Sequence, residues 1–137
     1  MAKDIIHEAV KNALKKDGWT IIADPYRLDY KNFALRADLA AERPGQGSKT
    51  VVRIIVEVKS FAGHSFVREL QQAIGQYTMY LDALAMNELG YALYLSISNE
   101  AYTSYFSQSG TQFAVQQYRL KLLVVDVERE VIIEWIE

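Results

Sequence analysis

The sequence contains no cysteine among its 137 residues. Without thiols, the chain forms no disulfide bonds, carries no thiolate nucleophile and offers no cysteine ligands for zinc. Residues that break regular structure are also scarce, with only 2 prolines and 7 glycines. No internal repeat or low-complexity tract is present. We therefore expect a single domain over residues 1–137, since a chain of about this length buries roughly 68% of its unfolded surface.

Long apolar runs are missing as well. No apolar run approaches the roughly 20 residues that a membrane helix requires. The start Met1-Ala-Lys-Asp4 lacks the apolar region of a secretory signal. We expect a soluble cytoplasmic protein without membrane contact.

The chain has no excess of positive charge, because its formal net charge is −2. This value argues against strong binding of nucleic acid by the isolated chain. The charge is unevenly placed, however: residues 1–70 carry 12 basic and 9 acidic groups, whereas residues 71–137 carry 3 basic and 8 acidic groups. The basic half gives weak support for a phosphate-bearing substrate, and ordinary surface charge is the alternative.

Asp38, Glu57 and Lys59 are the candidate catalytic residues. Ile54-Ile55-Val56 is apolar on both faces, which predicts a central buried strand, and Glu57 and Lys59 project to one side at its carboxyl end. If Asp38 ends a neighbouring strand, two carboxylates and one ammonium converge there. Mg²⁺ is usually held by one or two carboxylates with waters and phosphates, so the group suits metal-assisted phosphodiester cleavage. The alternative is an ordinary exposed ion pair.

Periodicity and turn residues predict an alternation of helices and strands. On the second helix we expect a buried stripe of Phe66, Leu70, Ala73, Ile74, Tyr77 and Leu81. The predicted elements are a helix from Asp4 to Lys16 capped by Gly18, strands from Trp19 to Ala23 and from Phe33 to Ala41, a hairpin loop from Arg43 to Lys49, a strand from Thr50 to Lys59, a helix from Ser65 to about Ala85, a strand from Tyr91 to Ile97, a helix from Glu100 to about Tyr118 interrupted at Gly110, and a closing hairpin of Leu120 to Asp126 with Val131 to Trp135.

This order, with Asp38 on the second strand and Glu57-x-Lys59 on the third, resembles the PD-(D/E)XK nuclease superfamily. The resemblance implies an α/β, restriction-endonuclease-like fold with a mixed central sheet flanked by helices. Gln76-Tyr-Thr-Met-Tyr80 resembles the Gln-x-x-x-Tyr motif of RecB-type members, which implies that Gln76 and Tyr80 lie near the metal and the phosphate. Ala37 replaces the proline that often precedes the first aspartate, a position that shapes backbone rather than chemistry.

The first helix is similar to that of archaeal junction resolvases. Aligning the two through Leu14, Gly18 and Trp19 puts their active-site glutamate on His7 rather than Glu8. Helical geometry agrees, because His7 borders the apolar stripe whereas Glu8 points to solvent. His7 then either approaches the site or is a boundary residue that hydrogen-bonds locally.

Over its whole length the chain is similar to the XisH family, the excision-controlling factors of the fdxN element in heterocyst-forming cyanobacteria. The resemblance implies a role in DNA rearrangement or its control, with DNA, a small XisI-like companion protein and a functional link to a site-specific recombinase. The residues that carry it are Ile6-His-Glu-Ala-Val-Lys-Asn-Ala-Leu14, Asp17-Gly-Trp-Thr20, Ala37-Asp-Leu-Ala-Ala-Glu42, Val56-Glu-Val-Lys-Ser-Phe61, Gly75-Gln-Tyr77 and Val124-Val-Asp-Val-Glu-Arg-Glu130.

In an active site of this kind, Asp38, Glu57 and the Val58 carbonyl would bind Mg²⁺ or Mn²⁺. Lys59 would orient the attacking water and counter the charge that develops on the phosphoryl oxygens. Hydrogen bonds to the water or the phosphate would come from the Gln-x-x-x-Tyr pair, for which helix packing is the alternative.

Two other classes of function stay open. One is a catalytically inactive nuclease-fold module that binds DNA or a protein and assists a recombinase, and the other is a homodimeric structural protein with an inactive site. We expect DNA binding by the isolated chain to be weak and salt-sensitive, with affinity supplied by a partner or a second copy. The candidate phosphate contacts are Lys11, Lys15, Lys16, Lys59 and Arg68.

Overall fold

The computed structural model describes residues 2–47 and 50–137 and shows a mixed α/β fold. No helix in this part of the chain is long and apolar enough to cross a membrane. The elements are α1 (Lys3–Lys16), β1 (Thr20–Ala23), β2 (Tyr26–Tyr30), β3 (Phe33–Ala37), β4 (Leu39–Pro44), β5 (Val51–Val58), α2 (Phe66–Met86), β6 (Ala92–Ser98), α3 (Asn99–Tyr105), α4 (Ser109–Gln117), β7 (Leu122–Asp126) and β8 (Val131–Ile136).

The main sheet is six-stranded and mixed, with the strand order β1-β4-β5-β6-β7-β8. Strand β5 runs antiparallel to β4 and parallel to β6, so it lies inside the sheet. The pairing of Leu39 with Val56 brings the first residue of β4 beside the carboxyl end of β5. Strands β2 and β3 form a separate two-stranded sheet.

Side chains of β5 alternate between two hydrophobic cores. Ile54, Val56 and Val58 pack into the core that contains the apolar stripe of α1. Ile55 packs into the other core, which contains the buried residues of α2. Glu57 continues this alternation and therefore faces α2, whereas its two valine neighbours face α1.

Most predicted elements are present within a few residues of their expected bounds. Helix α1 begins one residue earlier than predicted, and Gly18 has the expected left-handed backbone with φ of 93°. The Ser65 side chain caps α2 by accepting a hydrogen bond from the Arg68 backbone N–H. Strands β7 and β8 form the predicted closing hairpin.

The prediction of one strand from Phe33 to Ala41 is wrong. The segment is two strands, and the chain changes sheets between Ala37 and Leu39 because β3 pairs with β2 while β4 pairs with β1 and β5. The strand β2 was not predicted. The predicted hairpin loop is shorter than expected, since β4 extends to Pro44, and its residues 48 and 49 lie outside the described part of the chain.

Two details of the helices also differ from prediction. The chain leaves the helix at Phe106 rather than at Gly110, because the Phe106 ring is buried against Phe61 with ring centroids 5.5 Å apart. On α2 the buried stripe passes through Tyr80, which is 3% exposed, and leaves Leu81 42% exposed. The buried residues of α2 are Leu70, Ala73, Tyr77, Tyr80, Ala83 and Leu84.

Candidate active site

Asp38 and Glu57 are brought together by the pairing of β4 with β5. Asp38 is the single residue between β3 and β4, and Glu57 is the penultimate residue of β5. The Asp38 backbone N–H donates to Glu57 Oε1 over 3.2 Å, and the Val58 backbone N–H donates to Asp38 Oδ2 over 2.8 Å. Each carboxylate is therefore oriented by a backbone group of the other strand, which fixes both at one end of the sheet.

Two lysines supply positive charge to these carboxylates. Lys59 Nζ lies 3.6 Å from Glu57 Oε2. Lys3 Nζ lies 3.3 Å from Asp38 Oδ2 and 3.7 Å from Glu57 Oε2, so one ammonium contacts both carboxylates. Lys3 is one turn before His7 on α1, and this spacing is the only sequence signal that would have placed it near the site.

The Glu57 carboxyl group is poorly solvated, since its side chain is 4% exposed. Burial and the neighbouring Asp38 charge raise the pKa of Glu57 to about 6, although Lys59 and Lys3 act in the opposite direction. A raised pKa means that the site holds a proton more readily than an exposed glutamate does. A cation at the carboxylate pair would favour the ionised form.

Gln76 and Tyr80 extend the site into α2. Gln76 Nε2 donates to Tyr80 Oη over 2.9 Å. Tyr80 Oη lies 2.7 Å from the Arg36 carbonyl and 3.3 Å from Glu57 Oε1, both of which it can donate to. Burial and the Glu57 charge raise the pKa of Tyr80, so its hydroxyl stays protonated. Tyr80 therefore contacts the Glu57 carboxylate directly, and Gln76 is linked to it through the Tyr80 hydroxyl.

One polar atom of this pair has no partner. Gln76 Oε1 is buried and accepts no hydrogen bond from the described residues. A shallow cavity of about 320 Å³ lies beside this amide and is also lined by Arg36 and Met79.

His7 is held locally and also approaches the carboxylates. Its Nε2 lies 2.9 Å from Asp24 Oδ1, and its Nδ1 lies 3.9 Å from Asp38 Oδ1. Lys11 Nζ donates to Asp24 Oδ2 over 2.8 Å. Burial raises the pKa of Asp24, but the hydrogen bonds from Lys11 and His7 outweigh it and hold that pKa below its usual value. His7 is therefore hydrogen-bonded locally, its membership of the site stays a prediction, and Glu8 is exposed as predicted.

The donor set fits a hard divalent cation. Within residues 2–47 and 50–137, no group of three or more histidine, aspartate or glutamate side chains is arranged to hold a metal. Two carboxylates are nevertheless sufficient for Mg²⁺, which keeps several waters in its coordination shell. The Lys3 ammonium contacts Asp38 and Glu57 together, as a bound cation would. The Val58 carbonyl stays a predicted ligand.

Two clefts differ in character and position. A polar cleft of about 160 Å³ includes both lysines that pair with the carboxylates and is lined by Lys3, Lys59, Ser60, Phe61, Glu69 and Gln72. A larger apolar groove of about 610 Å³ lies between α3, α4 and the closing hairpin, with Tyr102 and Phe106 among its lining residues. Among the aromatic residues of α3, α4 and their ends, Phe106 is buried, whereas Phe113 and Tyr118 are 68% and 51% exposed.

Comparison with known proteins gives one family and two solved structures. The family model described as XisH protein matches residues 1–133. An XisH family protein from Nostoc punctiforme PCC 73102 is 36% identical, with a TM-score of 0.88 over 98% of this chain and 100% of that one. A fdxN element excision controlling factor protein from Anabaena variabilis is 40% identical, with a TM-score of 0.88 over 98% of this chain and 99% of that one. No curated protein matches the chain.

Proposed function

The chain belongs to the XisH family, and from this we propose that it acts on DNA in the excision of a genomic element, as a Mg²⁺-dependent endonuclease of the PD-(D/E)XK type. The similar protein from Anabaena variabilis is named as an excision controlling factor, which supports the biological role. Phosphodiester hydrolysis is the chemistry that the acidic site supports best.

The observation that carries the proposal is the reciprocal bonding of Asp38 and Glu57. Backbone N–H groups orient both carboxylates, and Lys59 approaches Glu57 from the same end of the sheet. An ordinary exposed ion pair contributes little to stability. Such a pair does not require backbone N–H groups to hold its carboxylate in one orientation. Carboxylates fixed in advance suit a metal site, where ligand position determines affinity.

Asp38 and Glu57 would hold the ion, with the Val58 carbonyl as a third ligand. When bound, Mg²⁺ would neutralise charge on the scissile phosphate and lower the pKa of the attacking water. Lys59 would orient that water and offset the charge on the phosphoryl oxygens, since its ammonium lies 3.6 Å from Glu57 Oε2. Tyr80 would keep Glu57 in position through its hydroxyl.

His7 would complete the site from the α1 side. Its Nε2 is engaged by Asp24, so the nitrogen that faces Asp38 is Nδ1. A histidine whose second nitrogen is bonded to a carboxylate has a fixed ring orientation, and this arrangement is common around metal ions in proteins. His7 would therefore contact the attacking water, rather than the ion, from the side opposite Tyr80.

Cleavage of branched and single-stranded DNA, in the presence of Mg²⁺ or Mn²⁺ and with and without the companion protein, tests the proposal. We expect cleavage by the wild-type chain and none by Asp38→Asn. Absence of cleavage of every DNA by a folded wild-type chain would favour the alternative, an inactive nuclease-fold module that binds DNA or a protein and assists a recombinase.

A further inference from the structure

We propose that the Lys3 ammonium neutralises and positions the Asp38 and Glu57 carboxylates in the metal-free protein, and that a metal ion displaces this ammonium when it binds. Lys3 would thereby set the affinity of the site for Mg²⁺ or Mn²⁺. This inference rests on the proposed function, because it assumes that Asp38 and Glu57 bind the ion.

The position of the Lys3 ammonium is the first reason. It lies within 4 Å of an oxygen atom from each carboxylate, at 3.3 Å from Asp38 and 3.7 Å from Glu57. Two carboxylates at one poorly solvated place repel each other unless a positive charge lies between them. Lys3 supplies that charge. Its side chain extends from α1, which packs on the opposite face of the sheet from the Tyr80 hydroxyl.

Competition with a metal ion follows from the atoms involved. The ammonium contacts Asp38 Oδ2 and Glu57 Oε2, the same two side chains that would hold the ion. Mg²⁺ requires its oxygen ligands at about 2.1 Å, which leaves no room for an ammonium between them. Lys59 differs in this respect, because among the described residues its ammonium pairs with the Glu57 carboxylate and with no other, so it can stay beside a bound ion.

The exposure of the lysine side chain is the second reason. Its side chain is 47% exposed, and it stands in the first turn of α1 after Ala2, a residue with no polar side-chain atom to cap the helix. The polar cleft of about 160 Å³ next to the site is lined by Lys3 itself together with Glu69 and Gln72. A displaced ammonium therefore has polar surroundings close by, and the displacement costs little.

Calorimetric titration of the full chain with Mn²⁺, and separately with Mg²⁺, tests the inference. We expect Lys3→Gln to bind the ion about 3- to 5-fold more tightly than the wild type, as loss of an ion pair worth up to ~1 kcal/mol implies. Lys3→Arg should restore affinity close to that of the wild type. Lys15→Gln is the matched control, since it removes the same charge from an exposed position on the same helix.

A second readout separates competition from a general structural effect. Without metal, Lys3→Gln should unfold at a lower temperature than the wild type, because the carboxylates lose their counter-charge. With saturating Mn²⁺ this difference should disappear. Asp38→Asn should abolish the binding heat, which assigns the heat to this site.

The outcomes that overturn the inference are distinct from those that overturn the proposed function. If Lys3→Gln binds the metal ion as tightly as the wild type or less tightly, or if Lys15→Gln gains the same affinity as Lys3→Gln, the proposed role of Lys3 is overturned. Either result is compatible with a metal site at Asp38 and Glu57. Absence of binding heat in the wild type and in Lys3→Gln would overturn both proposals.

Discussion

Asp38 and Glu57 position each other through the backbone: the Asp38 N–H donates to the Glu57 carboxylate, and the N–H that follows Glu57 donates to the Asp38 carboxylate. Neither side chain can move without breaking a hydrogen bond of the other strand. The arrangement keeps two like charges together at a buried place, which is unfavourable in the absence of a cation.

The stability of the metal-free protein should depend on the ionisation of Glu57. Its pKa rises from 4.5 to about 6 on folding, so the contribution of Glu57 to stability is fully present below pH 4.5 and is lost as the pH rises through 6. The expected loss is about 2 kcal/mol, from 1.4 kcal/mol for each pKa unit.

Glu57→Gln should remove this part of the pH dependence and stabilise the protein at pH 7. Urea unfolding with a metal chelator between pH 4 and 8 measures the effect. The control is Glu42→Gln, which lies on β4 and pairs with Arg53. Equal pH slopes in the wild type and Glu57→Gln would show that Glu57 titrates normally.

Cleavage of DNA should require both carboxylates. Glu57→Ala removes a predicted metal ligand, so we expect Mg²⁺-dependent cleavage to fall by more than the ~100-fold that loss of an outer-shell partner can cost. Tyr102→Ala, in the apolar groove, should leave cleavage unchanged. Circular dichroism must show that both variants are folded. Cleavage that survives in Glu57→Ala would indicate contamination or a different site.

The Tyr80 hydroxyl should matter for both stability and activity. Tyr80→Phe leaves the Arg36 carbonyl and the Gln76 amide without their partner, and an unsatisfied buried group costs about 1–3 kcal/mol of unfolding free energy. We expect cleavage to fall by roughly 10- to 100-fold because Glu57 loses its support. Tyr118→Phe is the exposed control. If Tyr80→Phe cleaves DNA at the wild-type rate, the Tyr80 hydroxyl has no part in catalysis and the side chain serves packing only.

DNA binding by the isolated chain should be weak and should decrease steeply with salt. Charge reversal of Lys15 and Lys16 should weaken binding to all sequences and reduce the salt slope by about 2, one for each lost phosphate contact. Fluorescence anisotropy at several salt concentrations gives both quantities. Arg119→Glu with Lys121→Glu makes the same charge change at the distant apolar groove. Tight, salt-insensitive binding that ignores Lys15 and Lys16 would contradict this prediction.

The parts of the fold that depend on local pattern could be predicted. The apolar stripe of α1, the Ser65 cap and the β7–β8 hairpin each follow from residues close together in sequence. The juxtaposition of Asp38 with Glu57 follows from strand alternation once the two strands are adjacent. The three local predictions required no knowledge of long-range packing, whereas the fourth required the pairing of β4 with β5.

The residues that prediction missed owe their positions to packing between distant segments. Asp24 contacts His7 across 17 positions of sequence, and Lys3 reaches Glu57 across 54. The break at Phe106 depends on its burial against Phe61, and β2 forms its own sheet against α2. Propensity and periodicity carry no information on such contacts, because they describe one segment at a time.

The change of sheet at Asp38 separates the chain into two independent hydrogen-bond ladders. The β2–β3 ladder ends at Ala37, and the β4–β5 ladder begins at Leu39. A strand register that shifts by one residue normally turns every side chain to the other face, but a shift confined to the first ladder stops at this boundary. We therefore expect residues inserted at the hairpin tip, Lys31 and Asn32, to leave the Asp38–Glu57 geometry unchanged as long as the Arg36 carbonyl keeps its hydrogen bond from Tyr80, so this tip is a suitable place for a spectroscopic label or an evolutionary insertion.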